Sequence, residues 1–239
     1  MANVSLAIDG EPTQLRAMWT KAWTSGLLVV CGTGILMGEP TRFEDAIQRF
    51  EDEDRAHPPE PGGILFVGSS SIRMWRDLET AFPDVGPILN RGFGGSTMQD
   101  LLAVTDRIVL PYEPAVIVVY EGDNDLAGKA TPDEVVTAFQ SFLDRVQAAL
   151  PDTRILILAV KPSFARWTLL PEVRETNGLL ARMAVGRERV EFVDIFHAML
   201  GPGESLSRED FIGDGLHLSP RGYALWAEVL TPWLLGSLD

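Results

Sequence analysis

Residues Ile64–Gly68 read ILFVG, a short and unbroken apolar run, and SSSIRMW (Ser69–Trp75) follows at once. A strand with one solvated face alternates apolar and polar residues. A strand covered on both faces has no such alternation, and this stretch has none. The same signature returns at VIVVYEG (Val116–Gly122), RILILAV (Arg154–Val160) and VEFVDI (Val190–Ile195), with a weaker copy at ILNRGFG (Ile88–Gly94). Between these runs lie segments with helical starts. Ser96–Gln99 and Thr131–Glu134 are spaced as capping boxes, in which two side chains satisfy free N–H groups of a first turn. Pro132, Pro171 and Pro220 suit the first turn of a helix, and the last helix is expected to reach about Leu235. Strands alternating with helices predict an α/β fold, a three-layer α/β/α sandwich around a five-stranded parallel sheet of flavodoxin-like type. In such sheets ligands bind beyond the carboxyl ends of the strands.

Outward from that core, Thr41–Arg55 predicts a further helix. Thr41 and Glu44 form its capping box, and Phe43, Ile47 and Phe50 share one face. HPPEPGG (His57–Gly63) breaks the chain before the first strand. The segment before it has a different character. Ala22–Gly38 carries no charge, and GLLVVCGTGILMG (Gly26–Gly38) is the longest apolar run in the chain. It is shorter than the roughly 20 residues of a spanning helix and closer to a signal-peptide core. Arg16 and Lys21 precede it as a basic region would, while Asp9 and Glu11 and the lack of an A-x-A site depart from a simple signal. LVVC (Leu28–Cys31) faintly resembles a lipoprotein box. The division expected is a leader over 1–40 and a domain over 41–239. Residues 16–38 then predict export or a membrane tether, with a cytoplasmic protein as the alternative.

The chain has 239 residues and a formal net charge of −14, which repels phosphate backbones and argues against a nucleic-acid partner. Cys31 is the single cysteine, so neither an intramolecular disulfide nor a cysteine metal site can form. The oligomeric state is not legible.

Four polar clusters sit where the predicted strands end: Gly68-Ser69-Ser70-Ser71, Gly92-Phe93-Gly94-Gly95-Ser96, Gly122-Asp123-Asn124-Asp125 and, before the last helix, Asp214-Gly215-Leu216-His217. Their chemistry is complementary. A serine hydroxyl is a weak nucleophile until a base takes its proton, and His217 is such a base. Asp214, three residues earlier, can reach around one turn to hold the imidazole in its tautomer. The Asn124 amide and the N–H groups of Gly95 and of a helix-starting serine suit a developing oxyanion.

In that order the blocks resemble those of the GDSL/SGNH hydrolases. Gly68-Ser69-Ser70 stands for the family's G-D-S, "NRGFGGST" (Asn90–Thr97) for its glycine block, "GDND" (Gly122–Asp125) for its G-x-N-D, and Asp214–His217 for its D-x-x-H. The resemblance runs from about Ile64 to Leu235. It implies Ser70, Asp214 and His217 as a catalytic triad, and Ser70, Gly95 and Asn124 as the oxyanion hole. It implies hydrolysis of a carboxylic ester, with acetyl or other short acyl groups favoured, and no metal or organic cofactor. Ser69 stands where the family has Asp, which leaves Ser69 and Ser71 as neighbouring registers for the nucleophile. Ser69, Arg166 and Trp167 are candidates to line the substrate pocket, the last two because KPSFARW (Lys161–Trp167) follows the fourth strand.

Other readings are weaker. A dinucleotide fingerprint fails at Thr97, where glycine is required. Asp123–Glu134 matches part of a calcium loop, but Ala127 stands at its fifth position and a strand precedes it. His57 is expected in solvent, His197 in packing or capping, Asn177 in a structural hydrogen bond, and Trp75, Trp226 and Trp233 in the core. A catalytically silent carbohydrate- or lipid-binding module on the same fold is the alternative function. A flavodoxin-like nucleotide binder is another, though it leaves His217 without a purpose.

Overall fold

The computed structural model describes residues 42–236. The apolar run, Cys31, the expected leader and Thr41 of the expected capping box lie outside them. Five parallel strands form one sheet in the order β2-β1-β3-β4-β5: β1 (Ile64–Gly68), β2 (Ile88–Gly92), β3 (Val116–Tyr120), β4 (Arg154–Leu158) and β5 (Val190–Val193). β1 and β3 are buried at every position, as a central strand covered on both faces must be. Each fully buried Val, Leu, Ile or Phe side chain contributes about 1.5–3 kcal/mol, so the sheet is also the main source of stability.

Right-handed crossovers decide which face each helix covers. From β1 the chain moves to β2 through α2 (Ser70–Arg73) and α3 (Leu78–Ala81). From β2 it turns back across β1 to β3, and then onward to β4 and β5. The main connecting helices are α4 (Met98–Ile108), α6 (Pro132–Ala149) and α7 (Leu170–Val185). These three pack side by side with α1 (Glu44–Ala56) against α4, making one outer layer. The final helix α9 (Pro220–Leu235) returns to the other face beside α8 (Ile195–Ala198). There Trp226, fully buried, meets Trp75 at 6.1 Å between ring centroids and Tyr120 at 5.0 Å. The result is the expected three-layer α/β/α sandwich. No helix among the described residues is long and apolar enough to cross a membrane.

Two local expectations need correction. The cap of α4 is Thr97 with Asp100, not Ser96 with Gln99. The Ser96 hydroxyl is turned into the core instead, 2.5 Å from Glu121 Oε1 and 2.9 Å from Phe93 O. The strand runs also end early: β2 stops at Gly92, β3 at Tyr120, β4 at Leu158 and β5 at Val193. The residues beyond β3 and β4 stay buried but leave the ladder, and those beyond β2 and β5 turn out of the sheet, Asp194 being exposed. α1 begins at Glu44, whose carboxylate pairs with Arg107 of α4 (2.8 Å) and so fastens α1 to the outer layer.

Candidate active site

The sheet reverses its winding between β1 and β3, and in open α/β sheets ligands bind beyond the carboxyl ends of the strands at such a point. Gly68 ends β1 at φ +139°, and a Cβ there would lie 2.1 Å from Tyr120 O. Glycine therefore lets the β1 turn press against β3. Ser69 N–H donates to Tyr120 O (3.2 Å), and Phe93 N–H donates to Gly68 O (2.9 Å), so the three strand ends are tied together. Ser69 itself is buried, and Ser70 is the first residue of α2 and half-buried.

From the far end of the chain, the loop before α9 brings in the other groups. His217 Nε2 lies 2.9 Å from Ser70 Oγ, across 147 residues of sequence. His217 Nδ1 lies 2.6 Å from Asp214 Oδ2. The other oxygen, Asp214 Oδ1, accepts from the N–H groups of Leu216 (2.9 Å) and His217 (3.0 Å). Desolvation works to raise the Asp214 pKa, but the hydrogen bonds from the His217 ring and from those two N–H groups outweigh it and hold the carboxyl at about 2. Asp214 is thus a lasting anion beside the imidazole. The loop is braced from β4's side, where Ala165 N–H donates to Gly215 O (3.1 Å).

Beyond β3, Asn124 is half-buried on α5 (Asp123–Ala127). Its Nδ2 donates to Ser96 O (2.9 Å), which ties it to the residue after Gly95. Gly95 has φ +86°, a conformation that favours glycine. The N–H groups of Ser70 and Gly95 donate to no group among the described residues. Ser70, Asp214 and His217 are therefore hydrogen-bonded in series, and the blocks carrying Gly95 and Asn124 are joined to each other and to the serine turn.

The remaining residues singled out in the sequence fall into place differently. The Arg166 guanidinium is turned inward, 2.5 Å from Asp123 Oδ1 and 2.8 Å from Asn124 Oδ1. Trp167 is 42% exposed at the start of a 3-10 turn. His57 is exposed, and Asn177 is buried, accepting from Val160 N–H (2.7 Å) and donating to Val160 O (2.9 Å). Trp75 and Trp226 are core, and Trp233 packs half-buried against it. The carboxylates of the partial calcium loop are spent on other partners, Asp123 on Arg166 and the other two on caps. Asp125 accepts from Met98 and Gly122 N–H, and Glu134 accepts from Thr131 N–H. Among the described residues no three His, Cys, Asp or Glu side chains cluster as metal ligands do.

Around the site Lys161, Glu121 and Arg42 were given no role in the sequence, and Asp123 was read only within a polar block and a calcium-like loop. Lys161, 2% exposed, pairs with Asp123 at 2.7 Å. Desolvation would raise the Asp123 pKa, but the Lys161 and Arg166 charges keep it below the ordinary value. Burial pushes the Glu121 pKa well above its ordinary value, and Glu121 lies behind Ser96, whose hydroxyl donates to it. Arg42 reaches in from before α1 to donate to Gly95 O (3.2 Å) and Asp100 Oδ1 (3.1 Å). For Glu121 and Lys161 the signal was present: charged residues set inside or directly after strand runs that are otherwise apolar.

Solved structures share the fold. A protein from Streptococcus pneumonia described as a platelet activating factor superposes with a TM-score of 0.71 at 24% identity, over 80% of this chain and 92% of that one. A GDSL-like lipase from Bacteroides thetaiotaomicron gives 0.65 at 20% identity, over 80% and 98%. An acetylxylan esterase from Geobacillus stearothermophilus gives 0.61 at 16% identity, over 74% and 95%. Among curated proteins none matches the sequence. The model of the GDSL-like lipase/acylhydrolase family matches residues 66–225, which begin inside β1 and take in the other four strands and all four polar blocks, and the chain belongs to that family.

Proposed function

We propose that the protein is a serine hydrolase of carboxylic esters, acting through an acyl-enzyme on Ser70, with short acyl groups such as acetyl favoured. The observation that carries this reading is the series Asp214–His217–Ser70, with 2.6 Å and 2.9 Å between the reacting atoms. Family membership supports ester hydrolysis in general, and a structural neighbour that is an acetylxylan esterase makes acetyl esters the first substrates to try.

In this mechanism Ser70 Oγ attacks the ester carbonyl carbon while its proton passes to His217 Nε2. Asp214 holds the Nδ1–H and stabilises the imidazolium. The carbonyl oxygen, now an anion, is met by the N–H groups of Ser70 and Gly95 and by the second hydrogen of Asn124 Nδ2, the first being bound to Ser96 O. The C–O bond then breaks, and His217 protonates the departing alcohol. A water attacks the acyl-enzyme by the same steps, releasing the acid and restoring Ser70.

The test is hydrolysis of a chromogenic acetate ester by the full chain, with Ser70→Ala beside it. Loss of the nucleophile is expected to lower kcat by about 10⁴- to 10⁶-fold. Equal activity in the variant would refute the assignment of Ser70. A wild type silent on acetate, longer acyl esters and sugar acetates would favour a silent binding module.

A further inference from the structure

Behind the oxyanion side of the site lies a buried ionic group that the reaction as described does not use. A single carboxylate, Asp123, holds two cations: Lys161 Nζ at 2.7 Å on Oδ2 and Arg166 NH1 at 2.5 Å on Oδ1. The Lys161 side chain is 1% exposed and that of Asp123 8%. Drawing such charges out of water costs several kcal/mol per ion before their attraction offsets it, and apolar residues of similar size often serve stability as well. The second arm of Arg166 extends beyond the ion pair, and its NH2 donates to Asn124 Oδ1 at 2.8 Å.

That contact decides how the Asn124 amide faces. A guanidinium has only donors, so the group turned toward it must be the amide oxygen. On the opposite side Ser96 O has only acceptor capacity, so the group 2.9 Å from it must be the NH2. A flipped amide would set N–H against N–H and O against O. Charged donors also draw electron density from the amide oxygen, which makes its N–H groups stronger donors. The same segment, KPSFARW, donates Ala165 N–H to Gly215 O, so it braces the Asp214–His217 loop as well.

We infer that Arg166 is a positioning residue: anchored on the Lys161–Asp123 pair, it fixes and polarises the Asn124 amide so that Nδ2 faces the oxyanion. The inference rests on the ester-hydrolase reading above. It assigns Arg166 a role through Asn124 and not through contact with the substrate.

The experiment is a double-mutant cycle on acetate-ester hydrolysis, with Arg166→Met, Asn124→Ala and the pair in the full chain. Removing one oxyanion donor costs about 10²- to 10³-fold in kcat, and Asn124→Ala is expected in that range. Arg166→Met is expected to lower kcat by roughly 10- to 100-fold with KM changed less than about threefold, and to cost less than about twofold once Asn124 is already Ala. Arg166→Lys returns a cation to Asp123 but only a compact point donor. It should restore the melting temperature without restoring kcat. An equal loss from Arg166→Met in both backgrounds, a raised KM at unchanged kcat, or full recovery of kcat by Lys would each overturn the inference. If Arg166→Met fails to fold, the same cycle run with Arg166→Lys decides it. Full activity in Ser70→Ala would bring down the hydrolase reading itself, whereas a dead Ser70→Ala beside an Arg166 effect that ignores Asn124 removes this inference alone.

Discussion

Of the chain's three Asp-x-x-His spacings, Asp54–His57 sends its aspartate to Arg91 and Tyr112 instead, and the other two, Asp194–His197 and Asp214–His217, have nearly the same local geometry. In each, the carboxylate's Oδ1 accepts from the histidine's own N–H, at 2.9 Å in the first and 3.0 Å in the second. In each, Oδ2 lies 2.6 Å from Nδ1 of the ring. Their surroundings differ. The His197 side chain is 68% exposed against 23% for His217. His197 leans edge-on against Phe196, and its Nε2 bonds to no group among the described residues. His217 Nε2 faces Ser70. An acid paired with an imidazole is thus what this spacing makes in the turns at Asp194 and Asp214, though not at the end of α1, where Asp54 and His57 stay apart. Becoming a base for a nucleophile requires a hydroxyl brought from elsewhere in the fold.

The widest separation between the two copies is expected on removing the rings. His217→Ala should lower kcat about 10⁴-fold or more, in line with Ser70→Ala, while His197→Ala should leave kcat within about twofold. A comparable loss in both, measured on the same acetate ester, would erase the distinction. Next come the carboxylates. Asp214→Asn leaves the imidazole without its anion and is expected to cost about 10³- to 10⁴-fold in kcat. Asp194→Ala should leave kcat unchanged and lower stability by about 0.5–2 kcal/mol through loss of the α8 cap, read from denaturant unfolding.

The smallest effect is on the pH dependence of stability. The Asp214 carboxyl is held at about 2 in the fold against an ordinary 3.8. A depressed carboxylate adds stability that is fully present above its unfolded value and is lost as pH falls through its folded value. Wild-type melting temperature should therefore fall between about pH 4 and pH 2, and Asp214→Asn should flatten part of that fall. Identical profiles in that window would show that the half-exposed Asp214–His217 pair contributes nothing measurable to the fold.

How much of this was legible depended on the range of the interaction. ILFVG and VIVVY announced two-sided burial because apolar continuity is a property of the segment itself. The α6 cap at Thr131 and Glu134 was legible for the same reason. The cap of α4 was misread by one residue, because a serine hydroxyl fits a cap or a buried carboxylate equally well until Glu121 is seen behind it. Arg166 could be placed beside the site from its position after β4. Its direction, inward to Asp123 and Asn124, depends on two residues about forty positions earlier. Arg42 on the carbonyl of Gly95 left no local trace at all.

The sequence by itself determined the layers of the fold, the strand ends at which polar blocks would gather and the reach of Asp214 to the histidine three residues on. All of these are set by periodicity, capping or contacts within one turn. Only the tertiary structure decided which of the two pairs meets a serine, which way the Asn124 amide faces and where the buried cations point. Each of those depends on partners from distant segments, which right-handed crossovers in the order β2-β1-β3-β4-β5 carry to the same edge of the sheet.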